Sequence, residues 1–145
     1  METNQLRLEE MIIALASFND SPECGISRFS FGENDRKART YLLEIIDQLG
    51  LPVRIDPIGN IFARFPGTQP DLPVIMTGSH IDSVKNGGKF DCVVGVVSAL
   101  EAIRVMVEHR VETKRSVELV IFSEERDRTS RSQYWEVRSL WESWE

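Results

Sequence analysis

One histidine and four carboxylates stand at positions where they could share a metal ion: His80, Asp82, Asp91, Glu124 and Glu125. An imidazole combined with carboxylates suits zinc, manganese or a similar divalent ion. A carboxylate can also bridge two ions, which together clamp a water and polarise a carbonyl. Asp82 lies two residues beyond His80, on the same side of an extended segment, where it can orient the imidazole from behind. Asp91 comes eleven residues after His80. The intervening Lys85-Asn-Gly-Gly-Lys89 is a Gly-containing loop able to fold back beside its own start. Glu124-Glu125 offers a carboxylate ligand next to a general base. A His-x-Asp by itself is more often a capped turn. The Asp before a helix and the Glu pair after the next strand are what favour a metal.

The elements that must position these groups follow from the apolar periodicity. Leu8, Met11, Ile12 and Leu15 predict an amphipathic helix from about Gln5 to Ser17. Residues 18–32, rich in Ser, Gly, Asn and Pro, predict a loop. Ala38, Tyr41, Leu42, Ile45, Ile46 and Leu49 form the stripe of a second helix, with Asn34 as its expected cap and Gly50 as its stop. Residues 53–56 and 60–65 read as short strands around the turn Pro57-Ile-Gly59. The continuous apolar run 73–77 predicts a buried strand. Val93, Val96, Val97, Leu100, Ile103 and Met106 mark a third helix, and residues 116–122 a central strand. This order predicts an α/β fold, a mixed sheet flanked by helices. In such sheets ligands bind beyond the carboxyl ends of strands, where His80 and Glu124 are expected.

The 145 residues suit one ordinary domain, and 41% apolar with 28% charged residues is a globular composition. A formal net charge of −6 argues against nucleic acid as a partner. No run approaches a membrane span, and the N-terminus lacks a secretory layout. Cys24 and Cys92 have no framework spacing and fit a reducing interior, so the expected location is cytoplasmic.

Taken together, Gly78-Ser-His-Ile-Asp-Ser-Val, Asn86-Gly-Gly-Lys-Phe-Asp91 and Gly95-Val resemble the metal-dependent amidases that include N-carbamoyl-L-amino-acid hydrolases, allantoate amidohydrolases and β-ureidopropionases. Asp56-Pro-Ile-Gly-Asn60 and Ile121-Phe-Ser-Glu-Glu125 are similar to two further elements of that family. The resemblance runs from about residue 9 to residue 125. It implies part of a zinc-peptidase-like catalytic domain that holds two divalent ions: zinc, or manganese, nickel or cobalt. On that resemblance His80 ligates one ion, Asp91 bridges both and Asp82 orients His80. Glu124 becomes the base and Glu125 a ligand to the second ion, or the pair moves by one position. Gly59 and Asn60 shape a turn beneath the site. Family members hydrolyse a carbamoyl or ureido C–N bond of a small carboxylate-bearing molecule. Cys92 departs from the family, which has Gly there, and a Cβ at that place could strain the loop or push Asp91 off its bridge.

After Glu125 the character of the chain changes. All three tryptophans lie between Trp135 and Trp144, and no Gly follows Gly95. If each codon is read from the third base of the one before, Tyr134/Trp135 must give Leu, while Trp135/Glu136 and Trp141/Glu142 must give Gly. The shifted reading can spell the family's continuation. The expectation is a catalytic-domain portion at 1–125 and an out-of-frame tail at 126–145. The family's other ligands, its substrate-binding arginines and its homodimerisation domain would then lie beyond residue 125, leaving the chain truncated and inactive as written. Two alternatives stand beside this: an aminoacylase or dipeptidase of the wider two-metal group, and a non-catalytic metal-binding fragment.

Overall fold

The computed structural model describes residues 2–21 and 24–123, so the expected tail lies outside the described residues. The first helix, α1 (Gln5–Ser17), begins where Asn4 turns its side chain back to accept the Arg7 main-chain N–H. Helix α2 (Glu33–Gln48) follows the predicted loop. Its N-cap is Gly32 rather than Asn34. Asn34 falls inside the first turn and donates its amide to Asp20 Oδ1 at 2.6 Å. Glu33 and Asp35 in that turn complement the helix dipole, which makes a side-chain cap dispensable.

Strands β1 (Val53–Ile55) and β2 (Ile61–Phe65) pair antiparallel, with Arg54 opposite Phe62. Strand β3 (Ile75–His80), helix α3 (Val93–Glu108) and strand β4 (Val117–Phe122) complete the order. The sheet runs β1-β2-β4-β3, with β4 antiparallel to β2 and parallel to β3. Alternate residues of β2 and β4 (Ile61, Ala63, Leu119 and Ile121) point to one face. There they join Met11 and Leu15 of α1, Leu42 and Ile46 of α2, and Val96, Val97 and Leu100 of α3 in one apolar core. Each buried Val, Leu, Ile or Met side chain there stabilises the fold by roughly 1.5–3 kcal/mol.

Strand β3 differs from the expectation in two ways. It starts later and runs on to His80, and it forms an edge of the described sheet instead of a buried centre. Ile75 is 52% exposed, because only β4 pairs with this strand. Burial rises toward its carboxyl end, where α3 crosses it. Gly95 makes that crossing close: a Cβ there would lie 2.8 Å from the Ser79 Cβ. The crossing sets the start of α3 over the end of β3. No helix among the described residues is long and apolar enough to cross a membrane.

Candidate metal centre

His80 closes β3 and is buried, as is Asp82. The His80 Nδ1 lies 3.1 Å from the Asp82 main-chain oxygen and 3.1 Å from its Oδ1. A peptide carbonyl can only accept, so the bond to it places a proton on Nδ1, and in the uncharged ring the lone pair then sits on Nε2. That is the tautomer a metal-ligating imidazole uses.

The loop after His80 is tied down along its length. Ser83 Oγ donates to the Ile26 carbonyl at 2.9 Å and accepts the Arg28 N–H at 2.9 Å. Ile26 and Gly87 bridge antiparallel, with main-chain bonds of 2.9 and 2.8 Å. Segment 25–28, part of the stretch predicted as loop, therefore forms a backing ribbon for the predicted flexible loop 85–89. Asp91 is exposed at the end of this loop, and its N–H donates to the Gly88 carbonyl at 3.2 Å. Cys92 caps α3 with φ 58° and ψ −31°, and its Sγ is 3.5 Å from Asp91 Oδ1. The left-handed φ is the backbone for which a glycine is suited.

Glu124 and Glu125 lie outside the described residues; the residue just before them does not. His80 is in register with Phe122, so β4 ends level with the imidazole. Ser123 is held there by two groups. Its N–H donates to Asn60 Oδ1 at 2.8 Å, and its Oγ accepts Arg39 Nη1 at 2.7 Å. Arg39 also donates to the Gly59 carbonyl. Asp56 gathers the turn: Oδ1 accepts the N–H groups of Ile58, Gly59 and Asn60, and Oδ2 accepts the Asn60 side chain at 2.9 Å. The Asp-x-x-Gly-Asn element is thus a brace for the end of β4.

Two buried charges behind the site carried no periodic or motif signal in the sequence. Arg28 is 1% exposed, and burial lowers its pKa against the opposing charges of Asp35, Asp82 and Asp20. Burial likewise holds the Asp35 carboxyl above the usual range, offset in part by the N–H of Phe31, which it accepts at 3.0 Å. Among the described residues the structure brings His80 and Asp82 together. No group of three His, Cys, Asp or Glu side chains there converges enough to hold a metal.

The profile of peptidase family M28 matches residues 60–139. The chain is 44% identical over 118 residues to a ureidoglycolate hydrolase of Oryza sativa subsp. japonica, covering 81% of this chain and 24% of that protein. It is 38% identical over 119 residues to an N-carbamoyl-L-amino acid amidohydrolase of Geobacillus stearothermophilus, covering 82% and 29%. The solved structure of a hydantoinase/carbamoylase family amidase from Burkholderia multivorans superposes with a TM-score of 0.81 at 32% identity, over 86% of this chain and 30% of that one. The chain thus spans about a quarter of the length of the curated relatives it matches.

Proposed function

This chain belongs to peptidase family M28, and from its similarity to ureidoglycolate and N-carbamoyl-amino-acid hydrolases we propose that it takes part in hydrolysing a carbamoyl or ureido C–N bond of a small carboxylate-bearing molecule with the help of two divalent metal ions. The observation that carries the proposal is the buried His80–Asp82 pair, level with the end of β4. An imidazole with a proton on Nδ1 and the carboxylates that follow it in the chain are donors of the kind that suit zinc and also manganese, cobalt or nickel.

In this reading His80 would hold one ion, Asp91 would be the carboxylate shared between the two, and Glu125 would hold the second. When bound, the ions polarise the scissile carbonyl and make water a stronger nucleophile. The remaining work belongs to the chain. Asp82 keeps the His80 ring in one tautomer and one orientation. Glu124 takes a proton from the attacking water and passes it to the leaving nitrogen. If the pair is displaced by one position, Glu125 becomes the base. Asn60, Arg39 and Ser123 fix where β4 hands over to these glutamates.

Zinc titration by calorimetry tests the metal assignment. The expected result is zinc binding that weakens at least tenfold in His80→Ala; equal affinity in both proteins overturns it. The reaction class is read from ammonia and amine release with ureidoglycolate, N-carbamoyl-L-amino acids and dipeptides. Because the tail expectation predicts no turnover from the 145-residue chain, the assay pairs it with the product of the shifted frame. Cleavage of ureido or carbamoyl compounds by that product, with dipeptides untouched, is expected. Dipeptide cleavage by itself would favour the aminoacylase or dipeptidase alternative.

A further inference from the structure

A guanidinium that is 1% exposed is an expensive way to fill a core. Desolvating a cation costs several kcal/mol, and an apolar side chain of similar volume would pack there without that penalty. What Arg28 does with its donors is specific. Nε and Nη2 both donate to the Ile81 carbonyl, at 2.9 and 2.6 Å. Nη1 donates to the Leu15 and Phe18 carbonyls at the end of α1, at 2.5 and 3.1 Å. The Ile81 carbonyl belongs to the peptide that joins His80-Ile81 to Asp82. If this peptide turned, the Asp82 Cα would swing, carrying with it both oxygens that hold the His80 Nδ1.

We propose that Arg28 is a positioning residue: its guanidinium locks the Ile81–Asp82 peptide against the end of α1 and thereby aims the His80 imidazole. The proposal deepens the metal reading and rests on it for the consequence, since an aimed imidazole matters most to a ligand ion. A main-chain bond between Ser83 and Arg28 supports the loop from the next residue, with the Ser83 N–H donating to the Arg28 carbonyl at 2.8 Å. That bond belongs to the backbone, whereas the hold on Ile81 depends on the planar fork of the side chain. A lysine would keep the charge and lose the fork, because one ammonium on a flexible stem cannot embrace Ile81 while also reaching both carbonyls of α1.

The test is Arg28→Lys, checked for folding by circular dichroism and thermal melting and read in two ways. Long-range nitrogen–proton spectra of the imidazoles report His80 without any metal. His109, whose Nδ1 sits 2.9 Å from the Val105 carbonyl on α3, serves as internal control. The expected outcome is displaced His80 signals with His109 unmoved, and zinc bound ten- to a hundredfold more weakly than by the wild type. A folded Arg28→Lys protein with wild-type His80 signals and wild-type zinc affinity overturns the proposal. If zinc affinity proves indifferent to His80→Ala, the metal reading fails and the His80 signals still decide the role of Arg28. Should Arg28→Lys not fold, Ser83→Ala decides. It removes the hydroxyl that ties the loop to the Arg28 N–H and the Ile26 carbonyl and leaves the guanidinium, so wild-type His80 signals support Arg28, and displaced ones assign the positioning to the loop pairing instead.

Discussion

Cys92 holds a backbone with φ 58° and ψ −31°, off both the right-handed and the left-handed helical wells open to an L residue. Such a conformation costs about 1–2 kcal/mol, and a glycine would be free of most of that. The glycine would in turn give up about 0.5–1 kcal/mol through the greater freedom of its unfolded chain. The balance favours Cys92→Gly by roughly 0.5–1 kcal/mol, read as a rise of a few degrees in melting temperature. A melting point below that of the parent would show that the thiol contact with Asp91 outweighs the strain. The resemblance to a family with Gly at this place made the conflict visible before any coordinates, and the dihedral supplied its cause.

At the scale of elements, the pairing of β3 with β4 decides where His80 stands. Gly78 lies inside that pairing with φ 148°, and a Cβ on it would sit 1.9 Å from the Val120 carbonyl oxygen. Nothing flexible is there to yield, since the obstacle is the neighbouring backbone. Gly78→Ala is therefore expected to cost about 3 kcal/mol, from overpacking added to backbone strain. Urea unfolding measures the loss, and hydrogen exchange at the β3 amides locates it. A variant within about 0.5 kcal/mol of wild type would mean that β3 can re-register, and the placement of His80 would then have to be rebuilt.

For the whole molecule, one core joins three helices to a single face of the sheet. An ion pair of unequal burial adds to the docking of α1 on α3. Arg7 Nη2 reaches the fully buried Glu101 at 2.6 Å, while its Nη1 meets the exposed Glu108 at 2.5 Å. The same Glu101 oxygen accepts the Asn4 main-chain N–H at 2.9 Å, so the N-cap of α1 and the third helix share one carboxylate. Beyond the described residues we retain the proposal that 126–145 are read out of frame, motivated by the Leu and Gly codons forced at Tyr134/Trp135, Trp135/Glu136 and Trp141/Glu142. The nucleotide sequence across codons 120–150 tests it. The expected result is an open shifted frame that continues the family pattern. A shifted frame without that pattern removes the idea.

The helices and strands were legible in the sequence because local periodicity writes them. The stripe of α2, the core face of α3 and the alternation in β2 each depend on residues a few positions apart. The pairing of His80 with Asp82 was legible because residues two apart on an extended segment share one side. What the tertiary structure decided involves partners distant along the chain. β3 became an edge because of which strand pairs with it, a fact that its apolar run does not contain. Asn34 fell inside the first turn because α2 starts earlier, at Gly32, and its amide donates instead to Asp20 in the preceding loop. Arg28 looked like one more loop cation until the fold carried residues 26–28 against the loop after His80, where a buried charge can be satisfied only by carbonyls from two other segments.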